Sequence, residues 1–255
     1  MEAAMFRGLY IAGTGMMLQR RKMETITNNI VNADTTGYKK DYLVSHSFDD
    51  VLIERINDTN NDVRSNPVGP LNFGTQVDQV YTDFSLGNVE STGKGTDLFI
   101  AGDGFFVMMT PQGERYTRSG AFYLDSEGYL IDGEGNYLLG DSGPINVGSE
   151  DFSVNENGEV TAGGQLIDRI RLVSFQDNTA LRKEGGNLYS SNAQPVEAAE
   201  DSTIMQGALE SSNVEIAREM VDMLTVYRAY ETNQKMITMI DEINGKAVNE
   251  IGRLR

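Results

Sequence analysis

Asp132-Gly133-Glu134-Gly135-Asn136 alternates oxygen-bearing side chains with glycine, as a calcium-binding loop does to line up hard ligands. An EF-hand loop also needs Gly at its sixth position and Glu at its twelfth, where this chain has Tyr137 and Gly143, so the segment reads as a structural turn. Gly102-Asp103-Gly104 and Gly93-Lys94-Gly95 are fragments of phosphate-cradling loops, but neither completes the glycine spacing between a strand and a helix. They read as hairpin glycines. Ser45-His46-Ser47 sets two hydroxyls beside the one histidine of the chain, yet a nucleophile also needs a positioned acid and an oxyanion hole, which sequence alone does not show, and a lone His in a linker reads as an exposed bystander. With zero Cys there is no thiolate, no disulfide and no cysteine metal site. The carboxylates are scattered over turns rather than paired for acid–base work. These residues predict no catalytic site, no cofactor and no metal, and a protein that is not an enzyme.

The charges are better understood by where they lie. Residues 1–40 carry six Lys or Arg against three acids, residues 208–255 six against eight, and the middle nine against twenty-seven, giving the net −17. An acidic middle repels nucleic acid and anionic membrane, so a nucleic-acid partner is not expected. All five Pro and twenty-one of the 27 Gly fall between residues 41 and 207, whereas nine of the 12 Met lie in the terminal segments. Turn formers in the centre and flexible apolar residues at the ends predict a β-rich middle flanked by helices. No apolar run approaches the roughly 18 residues of a membrane span, and no signal-peptide apolar block opens the chain, so a membrane-embedded or ordinarily secreted protein is not expected.

The terminal segments carry long apolar stripes. Met5, Leu9, Ala12, Met16, Gln19, Met23, Ile26 and Ile30 step by four and three, the spacing of a coiled-coil seam. Gly8, Gly13 and Gly15 weaken the first half, which should need a partner to become helical. A stop is signalled at Asn32-Ala33-Asp34-Thr35-Thr36-Gly37. At the other end Ile216, Met220, Met223, Tyr227, Tyr230, Gln234 and Ile237 repeat the spacing and continue through Ile240, Ile243, Ala247, Ile251 and Leu254. Ser212 and Glu215 have capping-box spacing, predicting one helix over 208–255. Such a helix, rising 1.5 Å per residue, would span about 65 Å, more than a small domain can cover. The fold class is therefore α+β, an all-β central domain flanked by long N- and C-terminal helices that pair as a coiled coil. Its expected parts are 1–36 (N-terminal helix), 37–84 (extended linker or hairpin, with a polar loop at Asn57–Asp62), 85–207 (all-β domain) and 208–255 (C-terminal helix). Within the β domain, runs such as Phe105-Phe106-Val107-Met108 and Tyr129-Leu130-Ile131, punctuated by Ser126-Glu127-Gly128 and Asn157-Gly158, predict antiparallel hairpins.

Three separated stretches resemble the bacterial flagellar axial proteins, and among them the rod proteins of the FlgF and FlgG type. They are Thr27-Asn28-Asn29-Ile30-Val31-Asn32-Ala33-Asp34-Thr35-Thr36-Gly37-Tyr38-Lys39; Gly102 to Phe106 followed by Tyr116-Thr117-Arg118-Ser119-Gly120-Ala121-Phe122; and Ala208-Leu209-Glu210-Ser211-Ser212-Asn213-Val214 running on to Tyr227-Arg228-Ala229-Tyr230. Tyr227 stands where many relatives have Gln, and Val31 where Ala is usual.

The resemblance implies a structural subunit of the flagellar basal-body rod. Such a subunit would be exported through the type III apparatus to the periplasm or cell-wall zone, and would polymerise with itself and with neighbouring rod and hook proteins into the hollow shaft that serves motility. The assembly interface would comprise Leu9, Met16, Met23, Ile26 and Ile30, with Asn28, Asn29 and Asn32 of the signature, against Ile216, Met220, Met223, Tyr227, Tyr230, Ile237 and Ile240. A soluble wall- or carbohydrate-binding β module dimerised by its helices is the alternative.

Overall fold

The computed structural model describes residues 2–55, 66–149, 151–197 and 202–252. The polar loop expected at Asn57–Asp62 and the last stripe residue, Leu254, lie outside the described residues, as do the side chains of Met5 and Ile251. The chain divides into two units, one of Met1–Ile30, Asp41–Tyr81 and Ile216–Arg255, the other of Val31–Lys40 and Thr82–Glu215.

The first unit is built on two helices, α1 (Glu2–Val31) and α2 (Ile216–Gly252). It also holds four strands, β1 (Asp41–Ser47), β2 (Val51–Arg55), β3 (Asn66–Leu71) and β4 (Thr75–Thr82), in which β1 pairs with β4 and β2 with β3. At 37 residues α2 is about 55 Å long. It starts eight residues later than expected, because Ala208–Glu210 is a strand and Ser212 accepts from the N–H of Val214 in a local turn instead of capping a helix. The glycines do not delay α1, which is helical from Glu2.

Beyond α1, the second unit contains β5 (Val89–Ser91), β6 (Leu98–Ala101), β7 (Phe105–Thr110), β8 (Gly113–Thr117), β9 (Tyr123–Leu124), β10 (Leu130–Ile131) and β11 (Tyr137–Leu138). It continues with β12 (Phe152–Val154), β13 (Glu159–Ala162), β14 (Gln165–Arg169), β15 (Leu172–Ser174), β16 (Leu181–Lys183), β17 (Leu188–Ser191), β18 (Val196–Glu197), β19 (Thr203–Gln206) and β20 (Ala208–Glu210). Its main sheet runs β16-β17-β8-β7-β11-β10-β9, with β15 also on β7 and β18 on β15. The ladders between these strands are antiparallel, as short sequence separations favour.

Strand β7 shows why the centre folds this way. Its unbroken apolar run is what a strand buried on both faces requires. Phe106 and Met108 join Leu98, Ile100, Phe122, Leu130 and Leu138 on one side, while Phe105 and Val107 join Tyr116, Phe175 and Tyr189 on the other. Edge-to-face aromatic pairs fill both layers, Phe106 on Phe122 with centroids 5.2 Å apart and Tyr116 on Phe175 at 4.9 Å.

Three turns share one device, an Asp or Asn followed three residues later by Gly. Asp125, Asp132 and Asn155 each donate an N–H to the carbonyl four residues on, and Gly128, Gly135 and Gly158 donate back. The glycines sit at φ +85, +86 and +82, the left-handed position that closes such hairpins. In the middle turn Asp132 Oδ1 accepts from the N–H groups of Glu134 and Asn136, and Oδ2 from the Asn136 amide. The loop's own donors thus occupy both carboxylate oxygens that a calcium ion would need.

Candidate assembly site

Within the first unit, α1 and α2 meet at three recorded approaches. A Cβ on Gly8 would lie 3.4 Å from Ile240 Cδ1, one on Gly15 would lie 3.0 Å from Asn233 Nδ2, and Asn29 Nδ2 donates to Glu219 Oε2 at 3.2 Å. Steps of seven and then fourteen residues forward along α1 match equal steps backward along α2, so the helices run antiparallel where they meet.

On α2, Glu219, Met223, Val226, Tyr230, Asn233, Ile237, Ile240, Asn244 and Ala247 are buried or half-buried, stepping by four and three throughout. On α1 a wider face is covered: besides Gly8, Ala12, Gly15, Gln19, Lys22, Ile26 and Asn29, it takes in Gly13, Thr14, Met16, Leu18, Met23, Thr25 and Ile30. Of the expected stripes, Ala12, Met16, Gln19, Met23, Ile26 and Ile30 on one helix and Met223, Tyr230, Ile237, Ile240 and Ala247 on the other fall in these buried or half-buried sets.

The approaches through Gly8, Gly15, Asn29, Glu219 and Asn233 each lie one residue from a stripe position, Leu9, Met16, Ile30, Met220 and Gln234. The stripe side chains beside these approaches differ on the two helices. On α1, Met16, Met23 and Ile30 stay half-buried, whereas Leu9 is exposed. This helix has a second contact face, where Tyr10 meets Phe48 at a 6.4 Å centroid distance, Arg7 lies over Phe73, and Gly74 approaches Thr14. On α2 they stand in the open, Ile216, Met220 and Tyr227 being exposed together with Leu224. Of the signature asparagines, Asn29 is buried, Asn28 is exposed, and Asn32 belongs to the second unit. Asn29 is the hub of its end of the seam. Besides Glu219, its amide donates to the Asp41 carbonyl at 2.8 Å and accepts from the Asp41 N–H at 2.9 Å, so one side chain ties α1, α2 and the start of β1.

A second constellation lies wholly in the second unit and draws on all three signature stretches. Lys39 Nζ donates to Glu210 Oε1 at 2.5 Å and to the Ser85 carbonyl at 2.7 Å. Arg118 approaches Glu210 Oε2 to 4.0 Å and donates to the carbonyls of Ile100 and Gly102. All three charged side chains are at most 2% exposed. Burial is the main influence on both cations, pushing Lys39 below the ordinary lysine range against the opposing pull of Glu210, and pushing Arg118 down as well.

Around this trio the chain is stapled. Glu210 Oε1 also accepts from the Gly87 N–H, and the Glu210 carbonyl accepts from Gly37 N–H at 2.7 Å. Asn213 accepts from the Lys40 N–H at 2.8 Å and donates to the carbonyls of Asp83 and Ser85. Lys183 lies 3.8 Å from the Tyr38 ring centroid and donates to the Lys39 carbonyl. Gly37 is held at φ +66, and a Cβ there would come within 2.5 Å of Ser119 N. Lys39, Arg118 and Glu210 lie inside the three motif stretches, where sequence alone assigns them no role. The available signal was their type, because ionic residues inside otherwise structural motifs are costly to bury unless paired. Ser45 and His46 lie on β1, with His46 exposed.

An α+β chain with two long terminal helices, a β-rich middle and motif residues spent on structure has the features of a structural subunit. Three family models match in chain order: a flagella basal body rod protein model over residues 9–39, the D1 domain of the flagellar hook protein FlgE/F/G over 99–162, and the flagellar basal body rod FlgEFG protein C-terminal over 205–250. The chain is 34% identical to the flagellar basal-body rod protein FlgG of Bacillus subtilis, over 96% of this chain and 99% of the relative. It is also 34% identical to the flagellar basal-body rod protein FlgF of Caulobacter vibrioides, over 98% and 100%. To the flagellar hook-basal body complex protein FlhO of Bacillus subtilis it is 32% identical, over 98% and 100%. The chain belongs to the flagellar basal-body rod protein family, of FlgF/FlgG type. It is a structural rod component of the flagellar basal body. Among the described residues no helix is long and apolar enough to cross a membrane.

Proposed function

We propose that α1 and α2 pair as a coiled coil within each subunit, and that the apolar side chains left outside this seam bind neighbouring copies and other rod and hook proteins, building the hollow shaft that transmits torque. The observation that carries this reading is the row Met220, Leu224 and Tyr227, exposed by 53%, 58% and 50% on a helix whose other face is already occupied by α1. Side chains of this kind are depleted from surfaces that stay in water and enriched at interfaces.

The fifteen residues proposed for assembly then divide by task. Met16, Met23, Ile26, Ile30, Asn29, Met223, Tyr230, Ile237 and Ile240 shape and support the helix pair. Leu9, Asn28, Ile216, Met220 and Tyr227 face outward toward other subunits, and Asn32 begins the turn after α1. Delivery through the flagellar type III export apparatus belongs to the same reading. The alternative, a wall- or carbohydrate-binding module, gains no support from the relatives.

The test is a chain carrying Met220→Lys and Tyr227→Lys. Circular dichroism and thermal unfolding should match the parent, because neither side chain is on the seam, while cells carrying the variant should lack rods and motility. Normal rods from the double variant would overturn the assignment of this face.

A further inference from the structure

We propose that Ala208–Asn213 is a latch: this one late segment holds residues 37–40 and 83–91 in place, and the three stretches close and open as a single step separate from the core around β7.

The argument rests on where the bonds of the segment go. Strand β20 pairs with β5, Leu209 opposite Glu90. The Ser211 N–H donates to the Asn88 carbonyl, and Gly87 N–H donates to Glu210. On its other side the same segment accepts from Gly37 through the Glu210 carbonyl and from Lys40 through Asn213. Two stretches more than forty positions apart, which also bond to each other directly at Lys39–Ser85 and Asp83–Lys40, are thus tied to six consecutive residues over a hundred positions further along.

Charge makes the joining all-or-none. Lys39 and Arg118 come from distant parts of the chain and share one buried anion, Glu210. With the segment undocked, the site would lose the one carboxylate that contacts both cations, so closing the Lys39 stretch first is unfavourable. The bonds that Gly37 and Lys40 make to this segment form only once the chain has reached residue 213.

The experiment is native-state hydrogen exchange of the full chain in low denaturant. Four amides report on the latch, Gly37, Lys40, Gly87 and Ser211, since each donates across it. They should share one opening free energy and one denaturant slope, both smaller than those of Leu139, whose N–H donates to Val107 in the core. Different values among the four, or merging of all four with Leu139, would overturn the proposal. A second arm uses Asn213→Ala, which removes contacts to Lys40, Asp83 and Ser85 but leaves Glu210 in place. Exchange at Gly37, Gly87 and Ser211, whose own bonds the substitution leaves in place, should rise together by about tenfold, the effect of losing a buried hydrogen bond. A change at Lys40 alone would mean separate local bonds and no latch.

Discussion

Lys39 and Glu210 stand 171 positions apart and meet as a fully buried ion pair, with Arg118 as a second cation beside the same carboxylate. The trio is asymmetric, two positive charges around one negative, and this makes its members unequal. Glu210→Gln removes the one carboxylate that contacts both buried cations and should cost about 3–5 kcal/mol, the usual effect of breaking a buried ion pair from one side. Lys39→Met leaves Arg118 facing Glu210 and should cost clearly less. Urea unfolding followed by circular dichroism, suited to a chain with no Trp, measures both. Equal losses would show that Arg118 does not share the carboxylate.

Glycines 13 and 15 are both in α1, but only one faces a neighbour. A Cβ on Gly13 meets nothing within 4 Å, so Gly13→Ala should stabilise the protein by roughly 0.5–1 kcal/mol through helix propensity. Gly15 lies against Asn233, and a side chain as large as Val there must push the helices apart. Thermal unfolding should rise for the first variant and fall for Gly15→Val. A gain from both would place the seam elsewhere.

Gly37 combines a left-handed backbone with a close approach to Arg118 and Ser119. Gly37→Ala should cost more than the roughly 1–2 kcal/mol of the left-handed backbone alone, because the added carbon also collides with main chain. The calorimetric melting temperature of the variant checks this. A shift no larger than that of Gly13→Ala would show that the main chain there yields freely.

Glu184 offers a test by pH. Its carboxyl is held below the ordinary glutamate range by a hydrogen bond from Ser190 and then by Arg115, which donates to it at 2.7 Å. Between the lowered folded value and the ordinary 4.5, the unfolded chain binds more protons, so the contribution is complete above 4.5 and disappears as pH falls through the folded value. The melting temperature of Glu184→Gln should lie below that of the parent near neutral pH, and the gap should narrow in acid. A gap independent of pH would mean the carboxylate charge is not what Ser190 and Arg115 hold.

Much of this architecture is legible in the residues themselves. Apolar spacing of four and three determines that both ends are helical, because only a helix brings such positions onto one face. The Phe105–Met108 run determines a strand buried on both sides, and Asp-x-x-Gly determines where hairpins close. The three motif stretches point to the family before any coordinates are seen.

Which neighbour each helix faces is another matter. Gly8, Gly15, Asn29, Glu219 and Asn233 carry no apolar signal, so a reading that follows hydrophobicity passes over the positions where the helices approach. Only packing shows that α1 approaches through its glycines and that Asn29 and Glu219 satisfy each other's polar groups. The start of α2 was likewise decided in three dimensions. Ser212 and Glu215 have the spacing of a cap, but residues 208–213 find more bonds with distant segments than a helical turn could offer them. Lys39, Arg118 and Glu210 are three separate charges along the chain. They form one site only when the fold removes water from all three, because burial is what makes a counter-ion obligatory.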